Sequence, residues 1–179
     1  MRKYWFVRDF CIVGILNACL PTRNFVICKM HSYKGHLKDN PGFRPLYKNF
    51  SMLLGHIFEE VYCINLITNE EFGIWQFPSD PTCGVIGKNN DWCLVGSESL
   101  VLKTFFDRTV RPVGDLRNIH ELRLINEYTA KILTDPWAED AAIWQLEIDV
   151  NRFAPDIGLW KIRDFNDYTG KPYVEDVLW

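Results

Sequence analysis

The spacing of apolar residues changes its period near residue 61. Before that point, apolar side chains recur three and four positions apart, at Phe50, Leu53, Leu54, Ile57, Phe58 and Val61. This spacing places them on one face of a helix, and Asn49 is a suitable N-cap. The pattern therefore predicts a helix over residues 50–61, which Gly55 weakens by about 1 kcal/mol.

After residue 61 the apolar residues alternate with polar ones, as in half-buried strands. Residues 61–68 and 71–77 flank the turn Asn69-Glu70 and predict a hairpin. A second hairpin is predicted from 83–87 and 92–96, and further strands are predicted at 99–106, 141–150 and 159–165.

Two parts of the chain fit more than one structure. In residues 115–134, Asn118 and Glu121 could form a capping box, yet Leu122 and Leu124 flank Arg123 as in a strand. We favour strands here, with a turn at Asn126-Glu127. The run 10–20 fits helix or strand, whereas 4–7 and 24–30 are predicted strands and 31–49 a long loop.

These elements predict a mainly β fold, an antiparallel meander with one or two short helices. A single domain over 1–179 is expected, with a basic portion at 1–48 and a β-rich body at 61–179. A tryptophan follows a polar turn at positions 75, 92, 144 and 160, but the spacing is irregular. We therefore interpret the body as a meander and not as a repeat array.

Composition excludes a disordered chain. The 179 residues are 47% hydrophobic and 15% aromatic, which suffices for a true core. The net charge of −3 hides an asymmetry, since residues 1–48 carry nine Lys or Arg against two acids and residues 115–149 carry three against eight. Such a chain neutralises itself on folding or attracts a charged partner at either end.

The cysteines predict free, buried thiols of a cytosolic protein. They lie at 11, 19, 28, 63, 83 and 93, without a CxxC pair and among apolar neighbours.

The basic start Met1-Arg2-Lys3 precedes an apolar run, but Asp9 stands directly before that run, so we interpret it as core and not as a targeting segment. No run is long enough to span a membrane. A cytoplasmic location is expected.

No catalytic signature is present, and neither a cofactor nor an enzyme activity is expected. Cys28 and His31, with Cys19 and His36 nearby, offer only one close ligand pair, which favours a buried thiol and a surface histidine over zinc.

The loop 31–48 carries an alternative function. It interleaves basic and aromatic residues, which neutralise phosphates and stack on bases in nucleic-acid binders: Tyr33, Lys34, His36, Lys38, Phe43, Arg44, Tyr47 and Lys48. The other interpretation, which we favour, is a solvated loop whose aromatic side chains pack onto the core.

Acids and tryptophans cluster at residues 135–149. This stretch is either a polar turn, an interface for a basic protein or, with less support, a pair of catalytic carboxylates. For the interface we name these candidate partner-binding residues: Asp135, Trp137, Glu139, Asp140, Glu121 and Glu127.

Three stretches of the chain resemble bacterial immunity proteins of polymorphic toxin and contact-dependent growth inhibition systems. They are residues 84–96, residues 133–144 and residues 161–173, and the resemblance extends over about 72–179. It implies a cytosolic β-rich binder that neutralises one toxin domain, plausibly a basic nuclease, by direct contact. No small-molecule substrate, membrane or direct nucleic-acid partner is expected with it.

Overall fold

The described part of the chain folds into three consecutive four-stranded antiparallel sheets. The structure is a computed structural model that describes residues 35–149 and 156–179. After a 3-10 turn at Leu37–Asp39, the first sheet holds β1 (Arg44–Lys48), β2 (Met52–Ile57), β3 (Glu60–Asn65) and β4 (Glu71–Gln76). The second holds β5 (Cys83–Ile86), β6 (Trp92–Gly96), β7 (Ser99–Thr104) and β8 (Val110–Arg117). The third holds β9 (Ile119–Leu124), β10 (Thr129–Thr134), β11 (Ala142–Asp149) and β12 (Asp156–Asp164).

Each sheet is a simple meander in which every strand pairs with the next. The first strands of successive sheets are neighbours, because β1 contacts β5 and β5 contacts β9. Four-stranded antiparallel sheets set side by side around their inner strands are the blades of β-propellers. Residues 35–149 and 156–179 thus form an arc of three such blades.

Two apolar layers join the three sheets. Leu54 and Cys63 of the first sheet pack against Ile86 and Val95 of the second. On the other face of the second sheet, Trp92 and its neighbours pack against residues of the third sheet, among them Ile132 and Leu146. Because the second sheet has a neighbour on each face, every residue of β6 is buried.

The outer faces of the arc are covered by flanking segments of the same chain. Leu37 and Phe43 pack against Leu53 on the outer face of the first sheet. Gly55 makes this possible, because a Cβ there would come within 2.3 Å of the Phe43 ring. On the third sheet, Phe165 and the residues after it pack on Leu133 and Ile143. Four apolar layers therefore cover the three sheets: one layer between each pair of neighbouring sheets and one layer on each outer face.

The helix predicted over 50–61 is wrong, because this segment forms β2 and the turn after it. Leu54 faces the second sheet and Leu53 faces Phe43, so β2 is buried on both faces. A strand buried on both faces has a continuous apolar run, which matches the helical spacing by coincidence. Phe50 and Phe58, the ends of the supposed helical stripe, are exposed in turns, and Phe58 has a left-handed φ of 51°.

The remaining strand predictions are largely confirmed. The hairpins at 61–77 and 83–96 and the strands at 99–106, 141–150 and 159–165 are present with small boundary shifts. Residues 115–134 form strands with a turn at 125–128, as favoured from the sequence. The mainly β antiparallel fold is confirmed, and the described residues contain one 3-10 turn in place of the expected helices.

Three expectations need correction. The loop predicted at 31–49 contains β1, so the β-rich body begins at Arg44 and not at residue 61. The strand β8 was not predicted. The structure does repeat, because three sheets share one topology. The four tryptophans do not mark this repeat, because Trp75 and Trp160 lie in the fourth strands of the first and third sheets, Trp92 in the second strand of the second sheet and Trp144 in the third strand of the third. The predicted elements at 4–7, 10–20 and 24–30 lie outside the described residues. No helix of the described part is long and apolar enough to cross a membrane.

Candidate functional site

Loops of all three blades meet along one edge of the arc, which we call the acidic rim. It comprises residues 58–59, 77–82, 97–98 and 135–141. Every charged residue of these four loops is a carboxylate: Glu59, Asp80, Glu98, Asp135, Glu139 and Asp140. A surface with charges of one sign attracts a partner of the opposite sign and repels others.

Short hydrogen bonds connect the loops of the acidic rim. The Ser79 and Ser97 hydroxyl oxygens lie 3.0 Å apart. The Thr82 hydroxyl donates to the Ile119 carbonyl oxygen at 2.6 Å and so ties the second blade to the third. A cavity of about 270 Å³ opens between these loops, with Glu98 and Asp135 in its wall. These bonds fix the loops 77–82 and 97–98 against each other and against the start of β9.

Four of the candidate partner-binding residues lie together on the turn between β10 and β11. Asp135 caps this turn, since its Oδ1 accepts a hydrogen bond from the Trp137 amide at 3.1 Å. Glu139 and Asp140 follow and are exposed. Their two carboxylates need no internal partner for the turn to form and are available at the surface.

Trp137 is built into an aromatic cluster with the C-terminal segment. Its ring stacks on Tyr173 with centroids 4.8 Å apart and meets His120 and Tyr168 edge to face. The half-buried indole is thus fixed beside Glu139 and Asp140. Fixed aromatic rings next to charged groups are typical anchors of protein interfaces.

The other two candidates lie elsewhere. The Glu121 carboxylate accepts hydrogen bonds from the Arg123 guanidinium at 2.9 Å and from the Trp179 indole at 2.5 Å. Partial burial raises the pKa of Glu121, but these two hydrogen bonds outweigh that effect and hold the pKa below its usual value of 4.5. Glu121 therefore fastens the C-terminal segment to the third sheet.

Glu127 lies on the β9–β10 turn, at the edge of the arc opposite the acidic rim. Its side chain is exposed, and its carbonyl oxygen accepts the hydrogen bond of the Trp92 indole at 3.1 Å. A partner that covers the turn at 135–140 would not reach it by the same contact. The six candidates are thus split between two edges and one internal contact.

Sequence reasoning missed the acids that other loops add to the rim. Asp80 follows Ser79 between two prolines, and Glu98 lies in the turn Gly96-Ser97-Glu98. Each of these turns was recognisable, but nothing local shows that they meet the turn at 135–141. The convergence follows only from the stacking of the blades.

The cations nearest the acidic rim on β12 are already paired. The Lys161 ammonium lies 2.5 Å from Asp164, and the Arg163 guanidinium lies 3.7 Å from Asp167. They therefore neutralise their own neighbours. Two exposed cations also lie at this edge: Arg117, which pairs in register with Ser99 next to Glu98, and Arg44, at the start of β1.

The described part of the basic loop also makes contacts within the chain. His36 lies 3.4 Å from the Glu71 carboxylate, and the Lys38 ammonium donates to Asn69 at 2.9 Å. Phe43 is buried and Tyr47 half-buried, which confirms that these aromatic side chains pack onto the core. Lys34 lies outside the described residues.

The described cysteines are free. Burial raises the pKa of Cys63 and of Cys83 to about 12 and that of Cys93 well above its usual value. Their thiols are therefore neutral at physiological pH and poor nucleophiles. Within residues 35–149 and 156–179, no group of three or more His, Cys, Asp and Glu side chains is placed to hold a metal.

Comparison with known proteins shows a likeness of fold alone. No family model and no curated protein matches the chain. A chain in the crystal structure of the mitotic checkpoint complex is similar with a TM-score of 0.50 and 11% identity, over 88% of this chain and 50% of that one. The N-terminal domain of Nup159 is similar over 68% of this chain and 31% of that one, with a TM-score of 0.44 and 9% identity.

The chain thus spans half or less of the length of these two structures. The checkpoint-complex chain is β-propeller-like, in agreement with the blade arrangement described above. At 11% identity this agreement concerns the fold only.

Proposed function

We propose that this chain is a protein-binding module that holds a basic protein domain on its acidic rim. More specifically, we propose that it acts in the cytoplasm as an immunity protein, and that the basic domain is a nuclease toxin, which it neutralises. The observation that carries the proposal is the excess of negative charge on the rim: six carboxylates from three blades, with no Lys or Arg in these four loops and with Arg117 and Arg44 at the adjoining strand ends.

A nuclease fits this surface on physical grounds. Proteins that bind nucleic acid carry clustered Lys and Arg, which would face the rim carboxylates on association. Complementary charge raises the association rate and excludes acidic partners. Trp137, held against Tyr173, supplies apolar contact area next to these charges. Because its side chain is already fixed, it loses little further conformational entropy when a partner binds.

Two further observations support a protein partner. The similar chain was solved within an assembly, the mitotic checkpoint complex. The resemblance of residues 84–96, 133–144 and 161–173 to immunity proteins supports the toxin as the particular partner.

The test is a titration with the C-terminal domain of the protein encoded directly upstream of this gene. Calorimetry at low salt would measure its affinity for the wild type and for two double variants. Glu139→Lys with Asp140→Lys reverses two exposed charges of the acidic rim. Glu70→Lys with Glu127→Lys reverses two exposed charges of the opposite edge and changes the net charge equally. Asp135 is left in place because it caps the turn.

We expect nanomolar one-to-one binding by the wild type and loss of the domain's toxicity in the complex. The rim variant should bind at least tenfold more weakly, mainly through slower association, and the control should bind like the wild type. No binding at micromolar concentration would overturn the toxin proposal. Equal binding by both variants would instead show that the partner uses another surface.

A further inference from the structure

A short sequence pattern occurs twice in the third blade and the segment that follows it. Residues 136–140 are Pro-Trp-Ala-Glu-Asp, and residues 172–176 are Pro-Tyr-Val-Glu-Asp. Each copy places one aromatic ring two residues before a Glu-Asp pair. The first copy belongs to the acidic rim, in the turn between β10 and β11, and the second follows β12. Whether they form one site depends on where the fold places them.

The fold brings the two copies into direct contact through their aromatic rings. The rings of Trp137 and Tyr173 are stacked, with centroids 4.8 Å apart and planes inclined by 30°. The Trp137 indole donates a hydrogen bond to the Pro172 carbonyl oxygen at 3.4 Å. Beside it, the Thr169 hydroxyl donates to the Ala138 carbonyl oxygen at 3.5 Å. The second copy therefore lies directly beside the acidic rim.

Tyr173 has one open ring face at this edge. Trp137 covers the other face, yet Tyr173 is 71% exposed, so the uncovered face is in contact with solvent. Trp137 is itself held by edge-to-face contacts with the rings of His120 and Tyr168. Because the tyrosine ring is supported from behind, it loses little further freedom when a partner binds.

Four exposed carboxylates lie close to the stacked rings. Glu139 and Asp140 follow the ring of the first copy by two and three residues. Glu175 and Asp176 follow the ring of the second copy by the same numbers of residues. Three residues span at most about 11 Å of chain, so both Glu-Asp pairs lie near the open face of Tyr173.

The charge of this region is negative once its cations are counted. Residues 135–140 carry three carboxylates and no Lys or Arg, and residues 171–176 carry two carboxylates and Lys171. The two exposed arginines of the rim edge, Arg44 and Arg117, belong to the first and second blades. The stacked rings of the third blade are therefore in surroundings that attract a cation.

The other aromatic rings of residues 165–179 each face a cation of the chain already. The three pairs, with the distance from the charged group to the ring centroid, are Arg123 over Trp179 at 4.2 Å, Arg163 over Phe165 at 5.0 Å and Lys171 over Tyr168 at 5.7 Å. Among the residues that the structure describes, no cation lies over Tyr173. The ring next to both Glu-Asp pairs is thus the one whose face is open to a cation from another molecule.

The arrangement fits a guanidinium group better than a metal ion or an ammonium group. In the described part of the chain, no three or more His, Cys, Asp and Glu side chains are placed to hold a metal. A guanidinium group is planar, stacks on aromatic faces and directs its N–H donors outward in its own plane, where carboxylates beside the ring accept them. A lysine ammonium is a compact charge with no face to stack.

We propose that Tyr173 and the two Glu-Asp pairs form an arginine-binding site, in which a guanidinium group of the partner stacks on the open face of Tyr173 and donates hydrogen bonds to the carboxylates around it. This inference rests on the proposed function, since it names the side chain by which a basic partner is held beside the acidic rim. Trp137 is a positioning residue, because it supports Tyr173 from the covered face.

The site is tested first without the toxin, so that its failure and the failure of the proposed function are distinguishable. NMR spectra of the intact chain are recorded during a titration with acetyl-Arg-Gly-Arg-amide and with acetyl-Lys-Gly-Lys-amide, which carries the same charge. We expect the arginine peptide to shift the signals of Tyr173 and of the Trp137 indole with millimolar affinity. The lysine peptide should bind roughly two- to fivefold more weakly.

Variants separate the ring from the carboxylates. Tyr173→Leu removes the aromatic face and should weaken binding of the arginine peptide roughly two- to fivefold, whereas Tyr173→Phe keeps the face and should bind like the wild type. Glu175→Gln with Asp176→Asn removes two charges and should weaken binding about threefold or more and reduce its dependence on salt.

Matched controls lie at the opposite edge of the arc. Tyr128→Leu removes a partly exposed ring there, and Glu70→Gln with Glu127→Gln removes two exposed charges. Both should bind the arginine peptide like the wild type. Thermal unfolding checks that every variant is folded.

The same variants are then titrated with the C-terminal domain of the protein encoded directly upstream. Tyr173→Leu should weaken its binding by at least the factor found with the peptide. If the arginine peptide binds at Tyr173 but the domain does not bind, the proposed function is wrong and the arginine-binding site stands. If the domain binds the wild type and Tyr173→Leu equally well, the site is not the anchor and the inference is overturned.

Three results with the peptides would also overturn the inference. The first is an arginine peptide that leaves the signals of Tyr173 unchanged at millimolar concentration. The second is equal binding of the lysine peptide, which would make the region a general acidic surface. The third is wild-type binding of the arginine peptide by folded Tyr173→Leu.

Discussion

Replacing Trp92 by Phe tests whether the second and third blades form one packed unit. Trp92 is fully buried between these blades, and its indole donates a hydrogen bond at 3.1 Å to the Glu127 carbonyl oxygen of the third. Phenylalanine keeps an aromatic ring but removes this donor and leaves part of the site empty.

The expected loss follows from two terms. The smaller ring forfeits roughly two methylene equivalents of buried apolar surface, or about 1.6 kcal/mol. The lost hydrogen bond adds about 1 kcal/mol at most, because Glu127 lies in an exposed turn where water can reach its carbonyl. We expect a loss of about 2–3 kcal/mol in the free energy of unfolding. For a chain of this size, it corresponds to a fall in Tm of roughly 5–10 °C.

Urea unfolding followed by far-ultraviolet circular dichroism measures this loss. Trp160→Phe is the control, because Trp160 is 41% exposed and its replacement should change stability by less than about 0.5 kcal/mol. If Trp92→Phe cost no more than the control, the layer between the second and third blades would not be the packed core described here.

Two further predictions concern the joint between blades and the C-terminal segment. Gly96→Ala should destabilise the chain by about 1–3 kcal/mol in urea unfolding, because the new Cβ would lie 2.5 Å from Ile119 and 2.8 Å from the Cys83 sulfur, whereas Gly73→Ala meets nothing within 4 Å and should be nearly neutral. The lowered pKa of Glu121 means that its contribution to stability is present above the usual pKa of 4.5 and is lost as the pH falls through the lower folded value. The protection factors of the amides in residues 165–179, taken relative to intrinsic exchange at each pH, should therefore fall at acid pH. In Trp179→Phe the pKa of Glu121, followed by NMR, should move back toward 4.5; an unchanged pKa would show that the indole does not hold the carboxylate.

Local pattern was sufficient for most of the strands. The alternation of apolar and polar residues on either side of Asn69-Glu70 and of 88–91 identified two hairpins. Two half-buried strands joined by a tight turn have a recognisable local sequence pattern. The same reasoning failed at 50–61, where β2 is covered on its second face by Phe43 and Leu37. A strand buried on both sides loses the alternation that would identify it.

The candidate site shows the same division. The turn at 135–140 was recognisable as acidic and aromatic from its own residues, and four of the six candidates do lie there together. Glu121 and Glu127 were grouped with them because they are close in sequence. The strand β10 runs from the turn that holds Glu127 to the turn at 135–140, so Glu127 lies at the edge of the arc opposite the acidic rim.

Most of the strands, the hairpins at 61–77 and 83–96 and the acidity of single turns could be predicted from the sequence alone, since each depends on residues near one another in the chain. Only the tertiary structure decided that the strands form three stacked blades and that Asp80 and Glu98 join the turn at 135–140 in one acidic rim. The reason is physical: these groupings depend on which apolar faces pack together, and packing between sheets leaves no fixed spacing in the sequence.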